Sequence, residues 1–344
     1  MSRDPEGASP SAGRDEWIRY RAQQFADEQL PAQPVVWDDT TNFMSIERNH
    51  VIDLRGDLYL VRSNEHEGRF GIDDQPKFWV KHAIDLETGR MFILKLLCQE
   101  EFKVHVGPLE IHCRRSAEKE ARVLDLVRGD PRFMQGRLAR DSRANPVRVI
   151  DFIQGVDLLT YLLSLRIGHE EYFRTRLPEI LAKLAGSLAG IQRLHDMGLC
   201  HGDIRNDHLL VERATGGYKW IDFDLNEDSP AFDIWSAGNI LHCSVAKGFL
   251  TFREAIEAQP RLAGQLADED ACVFFPNRVM NLGKVYPYLP SNLNAVLRRF
   301  SAGGRGCYDR MSQVADDLAD CATTMGVRPV WIEQSTAPTL RDGG

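Results

Sequence analysis

The segment "HGDIRNDHLLVERATGGYKWIDFDLN" (201–226) sets Asp203, His208, Asp222 and Asp224 around two short apolar runs, Leu209-Leu210-Val211 and Tyr218-Lys219-Trp220-Ile221. A buried carboxylate without a counter-charge or donor is costly, so these acids need a reason to be there. If the two runs pair across Gly216-Gly217, Asp203 and His208 stand just before the first strand. Asp222 and Asp224 then stand just after the second, and hairpin closure gathers all four. Three carboxylates so gathered repel one another unless a divalent cation or a proton intervenes. Oxygen ligands completed by water suit magnesium, and magnesium in turn points to a phosphate substrate.

A second pair of charges stands earlier. Lys95 lies inside "MFILKLLC", apolar on both faces of a strand, so its ammonium needs an anion unless it snorkels at the strand end. The segment 116–128 reads as a helix with Ser116 as N-cap, and Ala117, Ala121, Leu124 and Val127 form its apolar stripe. Glu120 falls on that stripe whereas Glu118 points away, which makes Lys95 and Glu120 natural counter-ions. An ordinary internal ion pair is the alternative, yet desolvation makes such pairs poor stabilisers, which favours a functional reason for this one.

The elements that must hold these groups change character along the chain. Strand-like runs at 57–64, 77–86, 90–98, 132–141 and 147–153 surround the helix at 116–128. Helical patterns follow: 177–197, with Pro178 in its first turn and Gly198 as its stop, then about 231–247, 251–267, 290–300 and 309–324. The expected organisation is a polar N-terminal extension with a short helix (1–35), a β-rich lobe (36–154), a helical lobe (155–330) and a tail (331–344). This is an α+β, bilobal arrangement whose crevice is the expected ligand site. The chain of 344 residues carries 42 Lys and Arg against 50 Asp and Glu, a formal charge of −8 with no long basic run, which argues against nucleic acid as a partner. Its seven scattered cysteines lack a C-x-x-C pair, the polar N-terminus lacks the apolar core of a signal peptide, and no uncharged apolar stretch of about 18 residues exists for a membrane span. Reduced thiols, a cytoplasmic location and no membrane partner are therefore expected. His105 and His112 beside Cys113 lack further ligand spacing for a metal, and His195 with Asp196 reads as the polar end of a helix.

Taken in order, these motifs resemble the protein-kinase-like superfamily over residues 55–325. Lys95 matches the family's strand lysine and Glu120 its helix glutamate. "VIDFIQGVDL" (149–158) resembles the inter-lobe hinge, "HGDIRNDH" the catalytic loop, "DFD" (222–224) the Asp-Phe-Gly motif, and "DIWSAG" (233–238) the start of the central helix of the C-lobe. The resemblance implies a bilobal protein-kinase-like fold with ATP and Mg²⁺ as cofactors. It also implies phosphoryl transfer to a hydroxyl acceptor, protein or small molecule. In it Lys95 holds the α- and β-phosphates, Asp222 binds the metal, Asp203 serves as base, and Arg205 offsets charge on the transferring group. Backbone groups of Asp151 and Ile153 would meet the adenine, with Ile150 as gatekeeper and Ile93 in place of the usual small residue against the ring.

Departures from the family pattern bear on activity. The nucleotide-covering loop is expected near 73–78, but "DDQPKF" there has no glycine. Gly68 and Gly71 are the candidate substitutes, with Arg69 and Lys77 as neighbours for phosphate. His208 replaces the asparagine that helps hold a second metal ion, and Asp224, in place of glycine, can supply the missing oxygen. Asp233 follows Asp222 by only 11 positions, so no activation segment fits, and Gly202 replaces the arginine that usually receives that segment's phosphate. The pattern is that of an atypical, bacterial-type member. The alternative is a pseudokinase, a nucleotide-binding or scaffolding module with a protein partner. Residues 258–290 offer an acceptor pocket or a partner surface, with Phe274, Phe275 and Pro276 expected to be buried.

Overall fold

The computed structural model describes residues 13–31, 33–69, 72–106, 109–304 and 306–329; Gly71 and the tails expected at either end lie outside them. Helix α1 (Arg14–Phe25) precedes strands β1 (Val36–Trp37), β2 (Val51–Leu54), β3 (Asp57–Arg69), β4 (Ile72–Asp85), β5 (Met91–Lys95), β6 (Glu101–Val106) and β7 (Leu109–Arg114). Then come α2 (Ala117–Leu126), β8 (Gly136–Arg140), β9 (Pro146–Asp151), β10 (Gly155–Asp157), α3 (Leu158–Ser164), α4 (His169–Thr175) and α5 (Leu177–Asp196). Strands β11 (Leu209–Glu212) and β12 (Tyr218–Trp220) are followed by α6 (Pro230–Ala246), α7 (Phe252–Ala258), α8 (Leu282–Val285), α9 (Ser291–Arg298) and α10 (Met311–Thr324).

The class is α+β, with two compact units. The β-rich unit comprises residues up to Glu100, Arg115–Gly129 and Gln135–Phe152; the helix-rich unit comprises Glu101–Arg114, Asp130–Met134 and Ile153 onward. In the first, seven strands run in the order β1-β2-β3-β4-β5-β9-β8, antiparallel except for the parallel β1–β2 pair. Every residue of β2 is buried because both faces of the sheet are covered. Val51 and its partner Leu60 pack with Ile18 and Ala22 of α1, while Ile52 and Tyr59 face a core of Leu94, Val147 and Val149. The side-chain alternation of a strand produces this division. The N-terminal helix is thus built into the unit's core, and Arg21 ties it further to the carbonyls of Leu86 and Glu87, both at 2.7 Å.

The expectations for two elements need correction. The connection between the strands at 57–64 and 77–86 is not a loop, because β3 and β4 continue through it as a long hairpin with register shifts at Val61/Ser63, Asn64/Glu65 and Glu67/Arg69. The stretch 73–78 is therefore strand. The helix expected over 251–267 ends at Ala258, since Pro260 cannot continue the hydrogen-bond ladder, and a 3₁₀ turn (Pro260–Gly264) follows.

In the helix-rich unit α5 is the central rod, buried along most of its length. Trp220 of β12 is fully buried and donates its indole N–H to the Ser187 carbonyl of α5 at 2.9 Å. Gly190 lets Phe133 approach the same helix, since a Cβ there would stand 3.0 Å from the ring. Strands β10, β11 and β12 form a small antiparallel sheet, with Leu209 opposite Trp220 and Val211 opposite Tyr218, so the hairpin read from the sequence is present in its expected register. Phe274 and Phe275 are half-buried and Pro276 exposed, contrary to expectation; Phe275 and Phe249 instead flank the Arg278 guanidinium, 4.0 and 3.9 Å from their ring centres.

Candidate functional site

Strand β5 delivers Lys95 with its side chain toward α2. The Ser116 hydroxyl caps α2 by accepting from the Lys119 amide at 3.1 Å, and this sets the rotation that turns Glu120 inward. Lys95 Nζ donates to Glu120 Oε1 at 2.6 Å, and Glu120 is fully buried. The sequence reading paired these two and missed a third member. Arg148 of β9, directly opposite Lys95 in the sheet, donates through Nε to the other oxygen, Glu120 Oε2, at 3.0 Å. Its guanidinium also reaches the carbonyls of Leu96 at 3.3 Å and Pro146 at 3.5 Å. The signal was available: an arginine within "PVRVIDFI" is as out of place as a lysine within "MFILKLLC".

The other residues expected to meet the nucleotide have these positions. Ile93 is half-buried on β5 between His82 of β4 and Ile150 of β9, which is itself buried. The Asp151 amide donates to the Gln135 carbonyl at 2.9 Å and the Asp151 carboxylate accepts from Arg90 at 3.2 Å. Ile153, just past the end of β9, is half-buried. Gly68 falls at the irregular register between Glu67 and Arg69, a place where a missing side chain eases a bulge; Gly71 lies outside the described residues.

In the helix-rich unit, the loop ahead of β11 is held from below by α6. Ser229 caps that helix and Pro230 opens it, which presents Asp233 in its first turn. The buried Asp233 carboxylate accepts from the His201 amide at 2.7 Å, the Gly202 amide at 2.9 Å and His195 Nε2 at 2.9 Å. His195 is therefore no mere helix end, because it links α5 to α6 under the loop. Gly202 takes a φ of 83°, which a side chain would strain. The Asp203 amide donates to His201 Nδ1 at 3.3 Å, turning the carboxylate to a partly exposed position.

His208 joins the two ends of the hairpin. Its Nδ1 meets the Asp203 carbonyl at 2.8 Å and its Nε2 accepts from Arg205 Nη2 at 3.1 Å. A carbonyl can only accept and a guanidinium only donate, so these bonds describe a neutral ring with its proton on Nδ1. The same ring lies 3.5 Å from Asp203 Oδ2 and 3.5 Å from Asp222 Oδ2. Asp222 has a φ of 67°, a conformation uncommon outside glycine and better tolerated by aspartate than by most residues. Arg205 forks onto Asp207 at 3.1 and 2.6 Å and stands 3.9 Å from Asp203 Oδ1. Asp224 is buried, next to Phe223, whose ring centre is 4.5 Å from that of His201. Asp203, Arg205, His208 and Asp222 thus share one small volume. Two carboxylates within it, joined by the imidazole lone pair once Arg205 turns away from it, are a donor set that fits a divalent cation. Among the described residues, His195, Cys200 and Asp233 also bring ligand atoms within 4.8 Å of one another, but two of the three are engaged in holding the loop.

No family model matches the chain. A stretch of 220 residues is 19% identical to the death-associated protein kinase dapk-1 of Caenorhabditis elegans, covering 56% of this chain and 14% of that protein. Another of 215 residues is 20% identical to calcium-dependent protein kinase 27 of Arabidopsis thaliana, covering 54% of this chain and 41% of that one. The chain thus spans less than half the length of either curated relative. Among solved structures, the PknI kinase domain of Mycobacterium tuberculosis overlaps with a TM-score of 0.45 at 14% identity, covering 76% of this chain and 96% of the domain. Among the described residues no helix is long and apolar enough to cross a membrane.

Proposed function

We infer that this chain, which is protein-kinase-like, is an ATP-dependent phosphotransferase that moves the γ-phosphoryl group to a hydroxyl acceptor. The observation that carries the reading is the joint presence of two costly arrangements, the buried Lys95–Glu120 pair and the Asp203–His208–Asp222 cluster. Neither is a good stabiliser in itself, and both are what phosphoryl transfer needs. Lys95, steadied by Glu120, meets the α- and β-phosphates. Asp222, with Asp224 and His208, would hold Mg²⁺, which supplies charge neutralisation on the phosphates when bound. Asp203 orients the acceptor hydroxyl and takes its proton, a contribution worth about 10²–10⁴-fold. Arg205 turns from Asp207 toward the transferring group. Ile93, Ile150 and the backbone of Asp151 and Ile153 receive the adenine, and Gly68 and Gly71 let backbone approach the phosphates. The ten residues between Asp222 and Asp233 leave no room for a peptide platform, which favours an acceptor other than an extended peptide.

A second reading is a pseudokinase that binds nucleotide or a protein partner without transfer. What favours it is Arg205, whose guanidinium stands 3.9 Å from Asp203 Oδ1 and occupies the His208 lone pair at 3.1 Å, so that a cation is already present beside the acids. The two readings separate in an assay that follows label from the γ-position of ATP into water, acceptor mixtures and the protein itself. Transfer by wild type that falls at least about a hundredfold in Asp203→Asn supports the enzyme. Nucleotide binding with no transfer above the Asp203→Asn level supports the pseudokinase.

A further inference from the structure

Glu120 is held at both of its oxygens, and the second grip has no counterpart in the motif that the sequence matches. Lys95 and Arg148 are cross-strand partners on β5 and β9, so their side chains rise from one face of the sheet side by side. The carboxylate of α2 sits between them, with Lys95 Nζ on Oε1 at 2.6 Å and Arg148 Nε on Oε2 at 3.0 Å. Arg148 is 3% exposed, and the carbonyls of Leu96 and Pro146 fix its guanidinium from the other side. In protein kinases the lysine–glutamate pair must be in place for transfer, and the position of the glutamate's helix is a point of control exerted through the activation segment. Here the 11 positions from Asp222 to Asp233 leave no such segment to exert it.

We propose that Arg148 is a positioning residue that pins Glu120, and through it Lys95 and helix α2, in the phosphate-holding arrangement before any nucleotide arrives. The pair is then permanently assembled rather than switched. A fork fixed by three acceptors has one orientation available, which a flexible ammonium does not. The part played by Lys95 toward phosphate rests on the phosphotransferase reading above; the pinning of α2 does not.

The test compares wild type with Arg148→Met and Arg148→Lys in two measurements. Hydrogen–deuterium exchange without nucleotide reads the peptide covering 117–126. The expected result is exchange at least tenfold faster in Arg148→Met and a smaller acceleration in Arg148→Lys, with α5 at 177–196 unchanged. Equal exchange in all three proteins, or acceleration spread evenly over α2 and α5, overturns the proposal. Calorimetric titration then compares ATP with adenosine. Arg148→Met is expected to weaken ATP at least tenfold while leaving adenosine within twofold, because only the phosphates sense Lys95; equal losses for both ligands mark a merely structural arginine and overturn the positioning role. If Arg148→Met does not fold, Arg148→Lys alone decides both measurements: faster exchange over 117–126 with α5 unchanged and a larger loss for ATP than for adenosine support the proposal, and unchanged exchange or equal losses overturn it. Should wild type bind neither ligand, the phosphotransferase reading fails, and the exchange data still decide whether Arg148 pins the helix.

Discussion

Substituting Asp233 tests how the loop bearing Asp203 is held. Asp233 is fully buried and accepts from two amides, His201 and Gly202, and from the His195 ring, at 2.7, 2.9 and 2.9 Å. In Asp233→Ala all three donors lose their acceptor in a buried site. An orphaned buried donor costs about 1–3 kcal/mol, so three would cost about 3–9 if nothing moved. The loop can relax toward water on its Asp203 side, which brings the expected loss to about 3–5 kcal/mol, a large share of the about 5–15 kcal/mol that a domain commands. Asp233→Asn keeps the shape but turns an NH₂ group toward one of the donors, so it should lose about half as much. Urea unfolding should show a lowered midpoint at unchanged slope, and hydrogen exchange should accelerate over 198–208 in the order Ala, Asn, wild type. An Asp233→Ala protein within about 1 kcal/mol of wild type, with exchange over 198–208 unaltered, would show that the loop is held by something else.

Further outcomes follow from particular contacts. Lys81 is fully buried, donates to the Ile46 carbonyl at 2.6 Å and Asn64 Oδ1 at 2.8 Å, and burial pushes its ammonium down to about 8. The unfolded chain therefore binds that proton more tightly, and the penalty is full below about pH 8 and relieved as pH rises toward about 10.5. Wild type should accordingly gain stability relative to Lys81→Met by about 2 kcal/mol between pH 7.5 and 10, measured by urea midpoints; a flat difference would refute the charged, buried lysine. A Cβ on Gly238 of α6 would lie 2.5 Å from the Phe300 ring, so Gly238→Ala should lower stability by about 1–3 kcal/mol in a thermal melt even though alanine is the better helix former; a raised melting temperature would contradict this.

Local signals carried the parts of the site that the sequence disclosed. The β11–β12 hairpin was legible because its apolar runs are short, its turn is marked by two glycines and its charges cluster at its open end. Lys95 and Glu120 were legible because a charge inside an apolar run demands a partner, and the helix stripe named one. Arg148 carried the same anomaly, but its segment also resembles the inter-lobe hinge, a resemblance that concerns Ile150 and Asp151 and gives no role to the arginine. The reach of β3 and β4 was hidden by polar text, since strands with charged side chains resemble loops; Glu65 and His82, 2.8 Å apart across the two strands, show how those charges are accommodated, and the bond from His82 holds the Glu65 carboxyl below its usual range. His195 was hidden differently. Its partner Asp233 lies 38 residues away, and a helix-end histidine looks complete without it.

Calorimetric titration of ATP into wild type and Asp222→Asn, each with Mg²⁺ and with EDTA, addresses the phosphotransferase assignment most directly. The expected result is saturable binding to wild type that weakens at least tenfold without the metal, and a loss of that metal dependence in Asp222→Asn. Binding of equal strength with and without Mg²⁺, or the same metal dependence in Asp222→Asn as in wild type, would contradict the role given to Asp222 and the phosphoryl chemistry built on it.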